Sequence, residues 1–445
     1  MTRPPGRPTW SNWAGNQRAT PAELVSPAGR DALAAAVVGA VGNGLRVKVV
    51  GSGHSFTDAA VTDGVLVRLD RHQRVLEVDR DRLQVTVEAG ITLRRLNATL
   101  AAYGMALPNL GDIDYQTLAG ALATGTHGTG TALPCLAANA IGIELITADG
   151  RVRWLSASAG DDPEAFAAAR VSVGALGVVS AVRLQCVPAF NLRALEVTMP
   201  LDEVRERFDE LAATNEHFEF FWTPGSRWAQ TKRNNRVDGP PAPRSPVRAA
   251  YDELIYQNAA FWALGRLGRR RPGWARALRR RLPVPGPADY VDRSDRVFTS
   301  PRLVRFYEME YGFDRRHALD VLAEVRSVVA GTGLRIGFPI EVRVSAADDI
   351  WLSMGTGRPS CFMAFHVFKG QPYDAYFRAV ERIIDQVGGR PHWGKLHFQT
   401  AATLAGRYPD WDRFASVRRR LDPDGVFANR YTDRVLGPVR AAGGG

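Results

Sequence analysis

The feature that most constrains the fold of this chain is a run of small residues between Pro108 and Gly130. It reads PNLGDIDYQTLAGALATGTHGTG, in which glycine, alanine and threonine dominate. Small side chains let the backbone approach a flat, extended ligand, and threonine hydroxyls and backbone N–H groups can donate to phosphates and ring carbonyls. Thr117 can cap a short helix over Leu118–Ala123. The alternative is a flexible glycine loop, but the apolar residues recur too regularly for a linker.

A second glycine motif follows a predicted strand at Leu45–Val50. The strand, LRVKVV, runs directly into Gly51-Ser52-Gly53-His54-Ser55. Glycines on both sides of a serine let backbone N–H groups converge on an anion such as a pyrophosphate. The pattern is not GxGxxG, so it does not indicate a Rossmann dinucleotide site. On this motif alone, a tight turn with a hydrogen-bonded structural histidine is equally favoured.

The length of 445 residues exceeds one ordinary hydrophobic core, which indicates two or three domains. The first 190 residues mix predicted strands and helices, including a helix from Pro21 to Val41. After Phe190, strand-like segments alternate with single helices, which favours an antiparallel sheet covered by helices and an α+β fold. We predict a first domain over 1–190, a substrate-facing domain over 191–410 and a C-terminal segment over 411–445.

The net charge of +11 is concentrated in one segment, Trp262–Leu282, which contains eight arginines and no acidic residue. A solvated, arginine-rich pair of surface helices is the simplest interpretation. The sharper alternative is weak contact with a membrane surface, because tryptophans and leucines could form an apolar face. No nucleic-acid-binding module surrounds the arginines, so we expect no nucleic-acid partner.

The cysteines and the N-terminal segment bear on location. Cys135, Cys186 and Cys361 are far apart and odd in number, which indicates neither a disulfide framework nor a zinc site. The N-terminal segment is basic but lacks the apolar stretch of a signal peptide, and no apolar run is long enough to cross a bilayer. These features favour a cytoplasmic protein, with peripheral membrane contact as the alternative.

Two C-terminal segments carry candidate catalytic side chains. Glu341 and Arg343 lie two apart in a predicted strand, so both point to one face; a surface ion pair is the alternative. His366 alternates with apolar residues and could be a general base or a buried structural histidine. His392 and His397 lack further ligands at metal-binding spacing, so a metal site is not expected.

Together these motifs resemble one family, the aldonolactone and alditol oxidases among the vanillyl-alcohol-oxidase-type FAD flavoproteins. The motifs are most similar to those of the sugar-1,4-lactone oxidases of the gulonolactone and arabinonolactone type. The matching segments cover nearly the whole chain and occur in the same order. The matching segments are NWAGN (Asn12–Asn16), VVGSGHSF (Val49–Phe56), PNLGDID with LAGALATGTHGTG, ALGVVSAVRLQCVP (Ala175–Pro188), IEVRVSAADDIWLS (Ile340–Ser353), RPHWGKLH (Arg390–His397) and DPDGVFANRY (Asp422–Tyr431).

The resemblance implies a two-part FAD-binding domain of the PCMH type, plus an α+β cap domain with an antiparallel sheet. It implies that the chain end returns to the FAD domain and that His54 carries FAD covalently. Asp112 stands where some relatives have serine. The implied cofactor-binding residues are Val50, Gly51, Ser52, Gly53, His54, Ser55, Gly111, Asp112, Thr117, Gly120, Thr124, Gly125, Thr126, His127 and Val178.

The resemblance also implies an activity. Glu341 and Arg343 match the family's substrate-binding pair, Lys395 lies at the flavin and substrate, and His366 is a further catalytic candidate. The implied reaction is FAD-dependent oxidation of a sugar-1,4-lactone at the carbon beside the carbonyl. Oxygen is the expected acceptor and hydrogen peroxide the product, because glycine at Gly111 leaves oxygen access to the flavin.

Three other functions stay open at this point. The first is an alditol oxidase that acts on a terminal hydroxyl, and the second is a lactone dehydrogenase that passes electrons to a quinone or cytochrome. The third is a non-catalytic flavin- or carbohydrate-binding protein, against which the intact set of His54, Glu341, Arg343 and Lys395 argues.

Overall fold

A computed structural model describes residues 7–245, 286–300, 304–331 and 337–439 of the chain. The arginine-rich segment Trp262–Leu282 lies outside the described residues. Within the described ranges, every helix is too short or too polar to cross a membrane. The three cysteines are buried free thiols.

The chain first forms a three-stranded parallel sheet, and the expected strand before Gly51 is present as its edge strand. In spatial order the strands are Glu23–Val25, Val65–Arg68 and Val47–Val50. Helix Arg30–Gly42 packs Leu33 and Val37 into the same core as the strand residues Val65 and Val67. The helix predicted over Pro21–Val41 is therefore too long at its start. Ser26 precedes a proline, which disfavours helical backbone, and Gly29 has φ of 87°, so the helix begins only at Arg30.

A five-stranded antiparallel sheet follows in the same region of the chain. Its strands in spatial order are Val152–Ser156, Ala140–Ile146, Val178–Gln185, Gln84–Glu88 and Val75–Asp79. The associated helices are Leu93–Ala102, Leu118–Ala123 and Pro163–Arg170. Two short strand pairs, Trp10–Ser11 with Arg18–Ala19 and Met105–Ala106 with Val187–Pro188, complete the strands here. The predicted cap is confirmed, because Thr117 Oγ1 accepts a hydrogen bond from Gly120 N at 3.3 Å.

The second region is an eight-stranded antiparallel sheet, as the alternating pattern after Phe190 predicts. Its strands in spatial order are Ala288–Arg293, Asn191–Pro200, Trp228–Val237, His217–Trp222, Ile340–Ser345, Ser360–Phe368, Phe306–Asp314 and Arg390–Pro391. The described helices of this region are Leu201–Glu206, Phe208–Ala213, Ser294–Phe298, Ala318–Gly331 and Asp374–Gln386. Short 3-10 helices lie at Asp58–Ala60, Leu136–Asn139, Arg315–His317 and Ala405–Arg407.

The two faces of the eight-stranded sheet differ in polarity, and this difference positions the site. One face is apolar: residues such as Met309 and Phe365 share a buried core with helices Ala318–Gly331 and Asp374–Gln386. The intervening residues point to the opposite face, because side chains alternate along a strand. There the register sets Glu308 beside His366. In the same way, Glu219 lies beside Arg343 and Glu341 beside Ala364.

The end of the chain packs against the first region. Its helices are Ala401–Leu404, Trp411–Leu421 and Arg430–Leu436. Phe427 lies in the core of the three-stranded sheet, and its carbonyl accepts a hydrogen bond from Lys48 Nζ at 3.1 Å. Trp393, Leu404 and Tyr408 already belong to the core around the five-stranded sheet. The domain limits at 190 and 410 stay predictions. The contacts of Trp393, Leu404 and Tyr408 show that the chain already packs against the first region before residue 411.

Candidate active site

Three adjoining cavities lie where the polar sheet face meets the two glycine-rich loops. The first has a volume of about 120 Å³, the second about 210 Å³ and the third about 260 Å³. His54 lines the first and second cavities, Lys395 lines the second and third, and Gln116 lines all three. The shared residues show that the cavities are neighbours, an arrangement that suits a long ligand with chemically different parts.

The first cavity has a lining of loop backbone and small side chains. A Cβ atom added to Gly51 would overlap the Thr117 hydroxyl, so the two loops approach each other more closely than any larger residue allows. Gly53 has φ of 69°, a left-handed conformation that favours glycine. Lys48 also lines this cavity, and burial lowers the pKa of its amine to about 7.

The second cavity contains His54 between two aromatic rings. Its imidazole stacks on Trp13 with ring centroids 5.5 Å apart and on Tyr115 at 6.4 Å. Burial, together with the charge of Lys395, lowers the pKa of His54 to about 4. His54 is therefore neutral near pH 7, and a neutral imidazole has a lone pair available for bond formation.

The third cavity contains the pair predicted from strand spacing. Glu341 contacts Arg343 in an ion pair, and Arg343 Nε donates a hydrogen bond of 2.7 Å to Glu219. Burial raises the pKa of Glu341 to about 7. Burial and the nearby carboxylates together outweigh the attraction of Arg343, which lowers this pKa. The carboxyl groups of Glu341 and Glu219 raise the pKa of Arg343 against the effect of burial, so the guanidinium stays charged. The pair thus combines a permanent cation with a carboxyl group that titrates near neutrality.

Lys395 lies at the junction of the second and third cavities. Its Nζ atom forms an ion pair with Glu308 and lies 4.0 Å from Glu310. Nζ also lies 5.4 Å from the centre of the Phe56 ring. An ammonium group at this place can contact ligands in both cavities, as the predicted role requires.

The two histidines near Lys395 have different surroundings. His392 lines the second and third cavities, and its Nδ1 accepts a hydrogen bond from Gly394 N at 3.0 Å. Burial lowers the pKa of His392 to about 3, so the ring is neutral. His397 instead contacts the Tyr431 hydroxyl at 2.9 Å, outside the three cavities. Among the described residues, no group of three or more histidine, cysteine, aspartate and glutamate side chains is placed to hold a metal ion.

The structure brings most of the predicted site residues together in these cavities. The first cavity is lined by Val50, Gly51, Ser52, Gly53, His54, Ser55, Thr117, Gly120 and Thr124. The third is lined by Gly111, Asp112, Thr126, His127, Glu341, Arg343, His366 and Lys395. Two predicted residues lie apart from the cavity linings. Gly125 forms a turn with φ of 74°, and the Val178 side chain is buried in the core while its neighbours Gly177 and Val179 line the first cavity.

Sequence reasoning did not select several residues that line these cavities, and Glu308, Glu310 and Gln116 are three of them. Glu308 and Glu310 lie two apart in the otherwise largely apolar strand Phe306–Asp314, and both side chains are buried. Their spacing of two in a strand places both carboxylates on one face, as the same spacing does for Glu341 and Arg343. Gln116, the third, carries no comparable pattern.

Comparison with known families covers both regions of the chain. A family described as "FAD binding domain" matches residues 21–156. A second family, described as "D-arabinono-1,4-lactone oxidase", matches residues 182–435. The first match contains the two loops that meet around Gly51 and Thr117, and the second contains all the predicted catalytic residues.

Individual proteins agree with these matches. An L-gulono-1,4-lactone dehydrogenase of Mycobacterium tuberculosis is 47% identical over 432 residues, which are 97% of this chain and 100% of that relative. An L-gulonolactone oxidase of Bos taurus is 33% identical over 96% of this chain and 98% of its own length. A solved structure titled "Solvent-stable cholesterol oxidase" has a TM-score of 0.78 over 98% of this chain and all of that chain, at 18% identity, and so supports the fold. The chain therefore belongs to the D-arabinono-1,4-lactone oxidase family and is an FAD-dependent oxidoreductase.

Proposed function

We propose that this protein oxidises a sugar-1,4-lactone of the gulono, galactono or arabinono type at the carbon beside the carbonyl. The observation that carries the proposal is the junction at Lys395, where the third cavity, with its Glu341–Arg343 pair, opens onto the His54 cavity. The names of the relatives, which are lactone oxidases and dehydrogenases, support the same substrate class.

The residues of the first and second cavities fit FAD. The close approach of Gly51 to Thr117 leaves loop backbone as the lining of the first cavity, which suits a diphosphate, and Lys48 adds a basic group to that lining. The aromatic rings of Trp13 and Tyr115 stack on the His54 imidazole and line the second cavity with it, which suits a flat ring system. When bound, FAD supplies the acceptor for the hydride that leaves the substrate.

His54 is the proposed point of covalent attachment. Its low pKa keeps the imidazole neutral and nucleophilic at the pH of a cell. Among the described residues, none makes a hydrogen bond to the His54 ring, so neither nitrogen is held by a structural contact. A covalent bond at this position retains the cofactor between the glycine loops and the sheet.

The third cavity supplies the groups that act on the substrate. Arg343 offers a charged donor to substrate oxygens, and Glu341 has a pKa suited to accepting the hydroxyl proton near neutrality. Lys395 can donate to the reacting oxygen from the junction. His366 Nε2 lies 3.4 Å from Glu308 at the edge of the same cavity and is a second candidate proton acceptor.

We propose molecular oxygen as the electron acceptor, with hydrogen peroxide as the product. Gly111 lines the third cavity, and a Cβ there would lie 3.3 Å from both the His127 carbonyl and Thr126 Cγ2, in tight contact. The absence of that side chain leaves a path for a small molecule. A dehydrogenase that uses another acceptor is the second candidate, favoured by the name of the Mycobacterium tuberculosis relative.

One experiment tests the cofactor and another tests the reaction. Flavin fluorescence should stay with the denatured protein on a gel and disappear in His54→Ala. His317→Ala, which changes a histidine outside the cavities, should keep the fluorescence. Purified protein should then reduce its flavin with 1,4-lactones and release peroxide in air.

Three results would change the proposal. Reduction of a dye acceptor without peroxide would select the dehydrogenase. Turnover of open-chain alditols in place of lactones would replace the substrate class. A protein that neither contains nor takes up FAD would refute the proposal as a whole.

A further inference from the structure

Five ionisable side chains form a row along the polar sheet face, in the order His366, Glu308, Lys395, Glu310, His127. The outer contacts are 3.4 Å from His366 Nε2 to Glu308 Oε1 and 2.8 Å from His127 Nε2 to Glu310 Oε1. In the centre, Lys395 forms an ion pair with Glu308 and lies 4.0 Å from Glu310. All five line the third cavity, and we call them the charged row.

The hydrogen bonds of His127 define its orientation. Its Nδ1 lies 2.9 Å from the carbonyl oxygen of Gly128, and its Nε2 lies 2.8 Å from the Glu310 carboxylate. A carbonyl oxygen only accepts hydrogen bonds, so the ring is held between this carbonyl and the carboxylate of Glu310.

The two glutamates are ionised despite their burial. Burial opposes ionisation of Glu308, but Lys395 and His366 outweigh it and hold the pKa at about 2. Burial likewise opposes ionisation of Glu310, and His127 lowers its pKa well below the ordinary range. At neutral pH the two carboxylates therefore lie next to the Lys395 ammonium group, with His366 and His127 at the two ends of the row.

The field of this row reaches the second cavity. Lys395 lines that cavity, and its charge contributes to the low pKa of His54. Charge near a bound flavin changes its electron affinity, because the reduced cofactor is more negative than the oxidised one. Each member of the row can therefore influence the flavin without contacting the substrate.

We propose that Glu308 and Glu310 are positioning residues that fix Lys395 and His127 at the junction, so that the summed charge of the row sets the electron affinity of the cofactor. Neither glutamate was assigned by sequence reasoning. The inference rests on the proposed function in one respect, which is that FAD occupies the second cavity.

The test measures the midpoint potential of the flavin in the holoprotein. Glu308→Gln and Glu310→Gln each remove one negative charge, so the potential should shift in the positive direction. Lys395→Met removes a positive charge and keeps a side chain of similar length, so the potential should shift in the negative direction. Glu308→Asp keeps the carboxylate, so its midpoint potential should be close to that of the wild type. Lost alignment of Lys395 should also lower kcat/KM in Glu308→Gln, by about 10²-fold.

Glu88→Gln is the matched control. Glu88 is a buried glutamate that also lies 3.4 Å from a histidine, His72, and it lines none of the three cavities. This variant should leave the potential unchanged.

Outcomes separate the inference from the proposed function. Shifts of the same sign in Glu308→Gln and Lys395→Met, or no shift in either, would overturn the charged row while wild-type lactone oxidation still stood. A wild-type protein that takes up flavin and is not reduced by lactones, but whose variants show opposite shifts, would overturn the substrate class and support the row. A wild-type protein without flavin would overturn both.

Discussion

The titration of Glu341 gives the sharpest prediction about activity. Its pKa is raised to about 7, above the ordinary 4.5, because burial outweighs the attraction of Arg343. If Glu341 accepts the substrate hydroxyl proton, only its ionised form is active. Since kcat/KM reports ionisations of the free enzyme, it should rise with pH through this value.

The magnitude follows from the pKa. A carboxyl group with a pKa of about 7 is ionised to about 9% at pH 6 and about 91% at pH 8, so kcat/KM should increase about tenfold between them. Glu341→Gln keeps the shape of the side chain but cannot take a proton. Its kcat/KM should be about 10²- to 10⁴-fold lower than that of the wild type, and this residual kcat/KM should no longer rise with pH.

The assay is anaerobic reduction of the flavin by a lactone, which is monitored by stopped-flow absorbance across this pH range. Reduction of the flavin isolates the substrate half of the reaction from the electron acceptor. A Glu341→Gln variant that keeps the wild-type rise with pH would refute the assignment of the proton to Glu341. His366→Gln would then be the next variant, because His366 is the other candidate acceptor in the cavity.

Three further predictions concern cofactor, oxygen and stability. Gly51→Ala should lose most of its bound flavin, because the new Cβ overlaps Thr117, whereas Gly42→Ala, with nothing within 4 Å, should keep it; the visible absorbance spectrum decides. Gly111→Ala should slow flavin reoxidation by oxygen in stopped flow while leaving its reduction by substrate nearly unchanged, and equal slowing of both would contradict the proposed oxygen path. The pKa of Glu308 is lowered from 4.5 to about 2, so its ionised form stabilises the fold above about pH 4.5. This stabilisation is lost as the pH falls from about 4.5 to about 2. Urea unfolding of Glu308→Gln should therefore show less acid destabilisation than the wild type between about pH 4.5 and 2, and equal curves would contradict the pKa shift.

Local sequence was sufficient for features that depend on neighbouring residues. The cap of Leu118–Ala123 by Thr117 and the common direction of Glu341 and Arg343 both follow from spacing within one element, and the structure has both. The antiparallel sheet after Phe190 follows from alternation in the same way. The start of the first helix was wrong because a proline and a glycine outweighed the alanine-rich helical periodicity of that segment.

The sequence by itself determined the family and the FAD-binding domain, and it predicted the loops and residue types of the site, because these are recorded in contiguous motifs. Only the tertiary structure decided which ionisable groups share a low-dielectric space. Strand register places Glu308 beside His366, and the loop from His392 brings Lys395 close to Glu308 and Glu310. His366 and Lys395 are both far from the two glutamates in the chain. Burial and Coulomb energies depend on such distances in space, so the low pKa of His54 and the raised pKa of Glu341 are properties of the packed sheet and loops together.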